Sequence, residues 1–248
     1  MSAHTLMIYA REARLQILAA LRTPQFLIPS VALPIGFYAL FGIGLAKGNV
    51  QMSAWLLATY AIFAAIGPSM FGFGVYVATE RETGLLAQKR VSPMPVGAYV
   101  FGKLAAALAT SSLALAGIAG LAHYVAGVDL PAWRWAAVLG LGAASTAPLA
   151  LIGLNLGLRL GTQGATAAAN VLFMSFSALG GLWIPLSQMP GWMTKLAWIL
   201  PSFHLGQLSL MLADAAPVQD VAAHVGIVLA FALAAAIGAR AGWRREAA

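Results

Sequence analysis

Long charge-free stretches limit what this chain can fold into more than any other feature. Six of them cover 26–46, 53–79, 104–128, 135–158, 166–186 and 221–239. A helix of about 20 apolar residues crosses the roughly 30 Å hydrocarbon core of a bilayer, so each stretch is a predicted span. Composition supports this: 61% of residues are hydrophobic and 8% charged, where a soluble domain carries roughly 25% charged residues. A soluble fold so apolar could not cover its core with polar surface. The expected fold class is an all-α membrane protein, a single domain over 1–248 with six transmembrane helices.

The remaining segments predict the topology. Residues 4–22 mix Leu6, Met7, Leu15, Ile17, Leu18 and Leu21 with Arg11, Glu12, Arg14 and Arg22. No uninterrupted apolar core of a signal peptide fits there. The segment predicts an N-terminal amphipathic interfacial helix that enters the first span between Thr23 and Pro24. A seventh apolar stretch, 196–213, is interrupted by Pro201 and His204. With six spans, one side of the membrane holds Arg11, Arg14, Arg22, Arg81, Lys89, Arg90, Lys103, Arg159, Arg240, Arg244 and Arg245, and the other only Lys47, Arg134 and Lys195. The basic side is expected to be cytoplasmic, with both termini there. A seventh span would move the Arg240, Arg244 and Arg245 tail outside. Residues 187–216 are therefore read as re-entrant or interfacial helices on the outer face, with Trp183, Trp192 and Trp198 at interfacial depth.

Chemistry is sparse. None of the seven carboxylates, Glu12, Glu80, Glu82, Asp129, Asp214, Asp220 and Glu246, lies well inside a predicted span. Ion-coupled carriers usually keep such a group near mid-membrane, and a hydrolase needs an acid and a base. His4, His123, His204 and His224 are scattered, and the chain has no cysteine. No catalytic residue, metal site or cofactor is expected in this chain. Residues 97–103, from Gly97 to Gly102 and Lys103, fit the start of a phosphate-binding loop. Leu104 stands where the magnesium-binding hydroxyl belongs, and no strand precedes it. The net charge of +7 is placed at span ends and not in a stripe with interleaved aromatics, so nucleic acid is not an expected partner. Gly153, Gly157 and Gly161 form a small-residue face for close helix packing, either within one subunit or between two.

One dense charged segment, 80–95, lies between the second and third spans. Thr83 is expected to cap a short helix over 85–90 that Pro93 and Pro95 end. Here the sequence resembles the ABC-2 type permeases, the membrane subunits of bacterial ATP-binding-cassette exporters. Glu80, Arg81, Glu82 and Gly84, followed by Val91, Ser92 and Pro93, are similar to that family's E-R-E-x-G … S-P pattern. Gly180, Gly181 and Pro185, then Pro190 and Trp192, then Pro201, are similar to its second pattern. Leu85, Leu86 and Ala87 depart from the Thr-Leu-Glu often found there, which removes an acidic residue.

The resemblance implies a bacterial inner-membrane protein that binds a separate ATPase subunit and pairs with a second copy of itself or a related permease. ATP and magnesium would sit on the ATPase. Coupling would run through the N-terminal helix and through Glu80, Arg81, Glu82, Gly84, Leu85, Leu86, Ser92 and Pro93. The second and fifth spans would line the cargo path, offering Tyr60, Phe63, Met70, Phe71, Asn170, Phe173, Met174 and Phe176. These soft apolar side chains suit an amphipathic or hydrophobic cargo that is exported. A stand-alone carrier and an intramembrane enzyme are the alternative readings.

Overall fold

The computed structural model describes residues 3–91 and 94–245. Among these, every regular element is helical. Helix α1 is Ala3–Leu21. Helix α2, Pro24–Leu45, widens into a π-helix over Tyr38–Leu45. Helix α3, Val50–Glu82, passes through a second π segment, Pro68–Val75. Then follow α4 (Leu85–Val91), α5 (Val96–Tyr124) and α6 (Ala132–Arg159). Helix α7 is Thr162–Met174 with a π turn over Ser175–Leu179. Helices α8 (Gly191–Ala197), α9 (Pro201–Ala213) and α10 (Val221–Arg245) complete the chain.

Five helices, α2, α3, α5, α6 and α10, are long and apolar enough to cross a membrane. The number becomes six if α8 and α9, which meet at 93°, are one broken span. Helix α7 is not among them, in contrast to the predicted span over 166–186. Its first half carries Thr162, Gln163, Thr166 and Asn170, and its helix ends at Leu179 before Gly180 and Gly181. Gly181 has φ +68°, the left-handed conformation that stops a helix at little cost when the side chain is absent.

Local chemistry explains the other breaks. Pro24 opens α2 at a position where the missing N–H is not needed. Between α2 and α3 the chain turns through Lys47 and Gly48 at positive φ. Asn49 then caps α3 by accepting from the Met52 N–H at 3.1 Å. Pro68 cannot donate into the preceding turn, and there α3 widens into its π segment.

Helix α3 forms the centre of the molecule: 72% of its most apolar stretch is buried, against 6% of that of α10. The glycines of α6 let α3 approach. An added Cβ at Gly157 would stand 2.7 Å from the Gly74 carbonyl oxygen, and one at Gly142 2.9 Å from that of Ala61. Gly153 faces Ser69 in the same row, and Gly161 faces Glu82. This small-residue face therefore packs within the subunit.

Helix α1 runs alongside the first turns of α5, with Tyr9 at Gly97 and Glu12 and Gln16 at Gly102. Arg11, Arg14 and Arg22 stay exposed. At the opposite end of the bundle, Gln51 donates to the Ala215 carbonyl at 3.0 Å and Arg134 pairs with Asp214 at 2.9 Å. Helix α9 is enclosed there by α3, α6 and α10. His204 and His224 meet at 2.7 Å between their Nδ1 atoms, and His204 Nε2 reaches the Trp198 carbonyl at 3.0 Å. A carbonyl only accepts, so His204 carries its proton on Nε2 and His224 donates to it.

Candidate functional site

The charged end of the bundle gathers the segment 80–91 and its neighbours. Glu80, Arg81 and Glu82 occupy the last turn of α3, and successive helical positions point about 100° apart. Each reaches a different neighbour. Glu80 turns inward: Oε1 accepts from Lys103 Nζ at 2.7 Å and Oε2 from the Tyr99 hydroxyl at 2.6 Å, both on α5. Arg81 donates to the Leu160 carbonyl at 2.9 Å, at the end of α6. Glu82 caps α7: Oε1 accepts from the Thr162 N–H at 3.1 Å and Oε2 from the Thr162 hydroxyl at 2.5 Å. A carboxylate at a helix N-terminus satisfies free N–H groups and opposes the positive end of the helix dipole. Three adjacent side chains thus join α3 to α5, α6 and α7.

Helix α4 hangs from this joint. Gly84, at φ +76°, makes the bend between α3 and α4, a conformation that L side chains disfavour. Thr83 turns its hydroxyl back into α3, donating to the Thr79 carbonyl at 2.8 Å. Leu85 is exposed and Leu86 buried against Tyr99 and its neighbours. Lys89 reaches Glu12 of α1 at 2.6 Å, and Gln16 holds the same carboxylate oxygen at 2.8 Å. The expected residues Ser92 and Pro93 lie outside the described residues.

Lys103 is 8% exposed and lies 5.7 Å and 5.9 Å from the ring centres of Tyr99 and Tyr76. Tyr99 also packs on Trp243 of α10 at 5.7 Å. Lys89 belongs to the charged segment 80–95, whereas no motif marks Glu12, Tyr99, Lys103 or Thr162 as members of this site. Partners separated by 19 to 80 positions leave no spacing signal. An acidic residue within the amphipathic segment, Glu12, and a lysine at a span edge, Lys103, were the two visible hints.

The aromatic set on α3 and α7 divides by depth. Tyr60, Phe63, Met70 and Phe176 are packed inside the subunit. Phe71 and Phe173 are half-buried with centroids 6.0 Å apart. Asn170 and Met174 are exposed on α7, beside exposed Gln163 and Val171. The Tyr60 hydroxyl is buried and has no hydrogen-bond partner. Among the described residues no group of three or more His, Asp or Glu side chains is placed to hold a metal.

Residues 13–213 match the ABC-2 type transporter family. The chain is also 27% identical over 190 residues to a Bacillus subtilis (strain 168) protein named "Putative transport permease YvfS", a match that covers 75% of this chain and 77% of that one.

Proposed function

This chain belongs to the ABC-2 type transporter family, and from that membership we propose that it is the membrane subunit of an exporter. It moves an amphipathic or hydrophobic cargo out of the cytoplasm, using ATP hydrolysed on a separate ATPase subunit that also holds the magnesium. The whole chain acts as one transmembrane domain in the inner membrane, with the arginine-rich end and both termini cytoplasmic. The distribution of bases supports that orientation.

The observation that carries this reading is the joint at Glu80, Arg81 and Glu82. A partner that pushes on α4 moves α3 directly, α5 through Lys103 and α7 through Thr162. The exposed ridge on α4, with Leu85 41% and Val91 90% exposed, is the docking surface for the ATPase. Since Glu80 and Arg81 are engaged within the subunit, they transmit motion and leave the contact itself to α4.

The cargo path lies along α7, where two copies meet. Asn170 is exposed on α7 about two turns in from the charged end of the bundle. Polar side chains at such depth face other helices or a water-filled cavity, and rarely lipid. Asn170 and Met174 line the path at its surface, with Phe71 and Phe173 behind them. Tyr60, Phe63, Met70 and Phe176 come into contact with cargo only when α3 and α7 part. The unpartnered Tyr60 hydroxyl supports such an opening, because a buried polar group without a partner is costly.

The test is co-purification of the tagged chain with its ATPase, followed by ATPase and export assays. Wild type should bring down the ATPase subunit, and scrambling residues 85–91 should abolish this. Glu82→Ala should insert normally and retain the ATPase but lose export. Glu82→Gln, which still accepts from Thr162, should keep a substantial part of it. Normal export by Glu82→Ala would remove the joint from the mechanism. A chain that transports in vesicles without any ATPase would overturn the exporter reading.

A further inference from the structure

A cavity of about 190 Å³ lies where α1, α2, α3 and α5 converge at the arginine-rich end. Its polar lining comprises Gln16, Thr23, Tyr76, Glu80 and Lys103, and alanines of α1 and α5 form the rest with Phe26 and Gly72. It adjoins an open groove of about 480 Å³ between α2 and α3, lined by Pro29, Ser30 and Val75 among others. The two share Phe26 and Tyr76, whose rings meet edge-on at 5.4 Å. The cup, which holds the ionised pair, and the mainly apolar groove therefore lie side by side along this ring contact.

The charges in the cup are unevenly satisfied. Both oxygens of Glu80 already accept, one from Lys103 and one from Tyr99. Lys103 is 8% exposed, and its ammonium has three donors but, among the described residues, one hydrogen-bonded partner, Glu80. Tyr76 also lines the cup, and among the described residues its hydroxyl has no hydrogen-bonded partner. Thr23 spends its hydroxyl proton on the Ala19 carbonyl at 2.8 Å and so offers an anion no donor. Exposed Arg22 stands one residue before it. The unused donors in the cup are thus those of Lys103 and Tyr76, one of them cationic, and they suit an anion bearing several oxygens.

We propose that this cup and groove bind one phosphate-bearing amphiphile, a phospholipid of the surrounding bilayer. Its phosphate takes the free donors of Lys103 and Tyr76, and an acyl chain lies in the groove between α2 and α3. Lipid is favoured over free phosphate because a mainly apolar groove adjoins the cup and shares Phe26 and Tyr76 with it. The site is independent of which molecule is transported. A bound lipid would brace α1 against α3 and α5, and so steady the joint through Glu12 and Lys89.

The test uses the purified full chain in detergent, with thermal unfolding followed by tryptophan fluorescence. A lysophosphatidic acid should raise the midpoint in a saturable way. A monoacylglycerol of the same chain length, and inorganic phosphate alone, should not. Gly72→Leu fills the cup: a Cβ there meets only the Phe26 ring, at 3.5 Å or beyond, and the variant should bind at least tenfold more weakly. Tyr76→Phe, which keeps the ring and removes one donor, should bind several-fold more weakly and serves if Gly72→Leu fails to fold. Equal stabilisation by the uncharged lipid would overturn the role of the phosphate. Equal stabilisation by inorganic phosphate would overturn the lipid. Undiminished binding by both variants would overturn the location.

Discussion

Lys103 and Glu80 meet at 2.7 Å with their side chains 8% and 14% exposed. Removing one member of a buried ion pair costs about 3–5 kcal/mol, because the other charge stays behind uncompensated, whereas replacing both with apolar groups is often neutral. Lys103→Met should therefore lower the unfolding midpoint strongly, and the double variant Lys103→Met with Glu80→Leu should recover much of the loss. An additive double variant would show that the two charges do not act as a pair. Glu82 differs from Glu80, since it is exposed and bonds only Thr162. Exposed interactions contribute little stability, so its replacement should affect transport far more than folding. The residues at 80–84 were legible as a motif, but their partners were not. Nothing in the sequence said that Glu80 turns towards α5 while Glu82 caps α7.

At the scale of elements, packing of α6 on α3 depends on absent side chains. Gly157 leaves room for the carbonyl oxygens of Phe73 and Gly74, which stand 2.8 Å and 2.7 Å from where its Cβ would be. Backbone cannot move aside as a flexible side chain does. Gly157→Val should thus cost about 1–3 kcal/mol or more through overpacking, read as lower yield of folded protein and a lower unfolding midpoint. Gly140 has nothing within 4 Å, so Gly140→Val is the control and should be nearly silent. The glycine spacing was readable as a packing face. Which helix it faces was decided by the packed bundle, which sets it against the backbone of α3 from Ala61 to Gly74.

For the whole molecule, the exposed face of α7 predicts how two copies meet. Val171 is 64% and Met174 52% exposed. Because the chain has no cysteine, single replacements are clean probes. Met174→Cys should form a disulfide-linked dimer in membranes under mild oxidation, and Leu229→Cys on α10, also 62% exposed, should not. Crosslinking at Leu229 but not at Met174 would place the dimer contact on α10 and remove α7 from the path.

The sequence alone determined that this is a helical membrane protein, because solvation of backbone and side chains in lipid permits little else for stretches so long and apolar. Hydropathy and charge are sums over neighbouring residues, so they can be read along the chain. The same argument found the break near Pro24 and kept 196–213 from being counted as an ordinary span. Tertiary structure alone decided that α7 ends at Leu179, that α3 is enclosed, and that α1 lies against α5. It also decided the contacts Glu80 to Lys103, Glu82 to Thr162 and His204 to His224. Each depends on two residues far apart in sequence being brought within hydrogen-bond distance, and that distance is a property of the packed bundle.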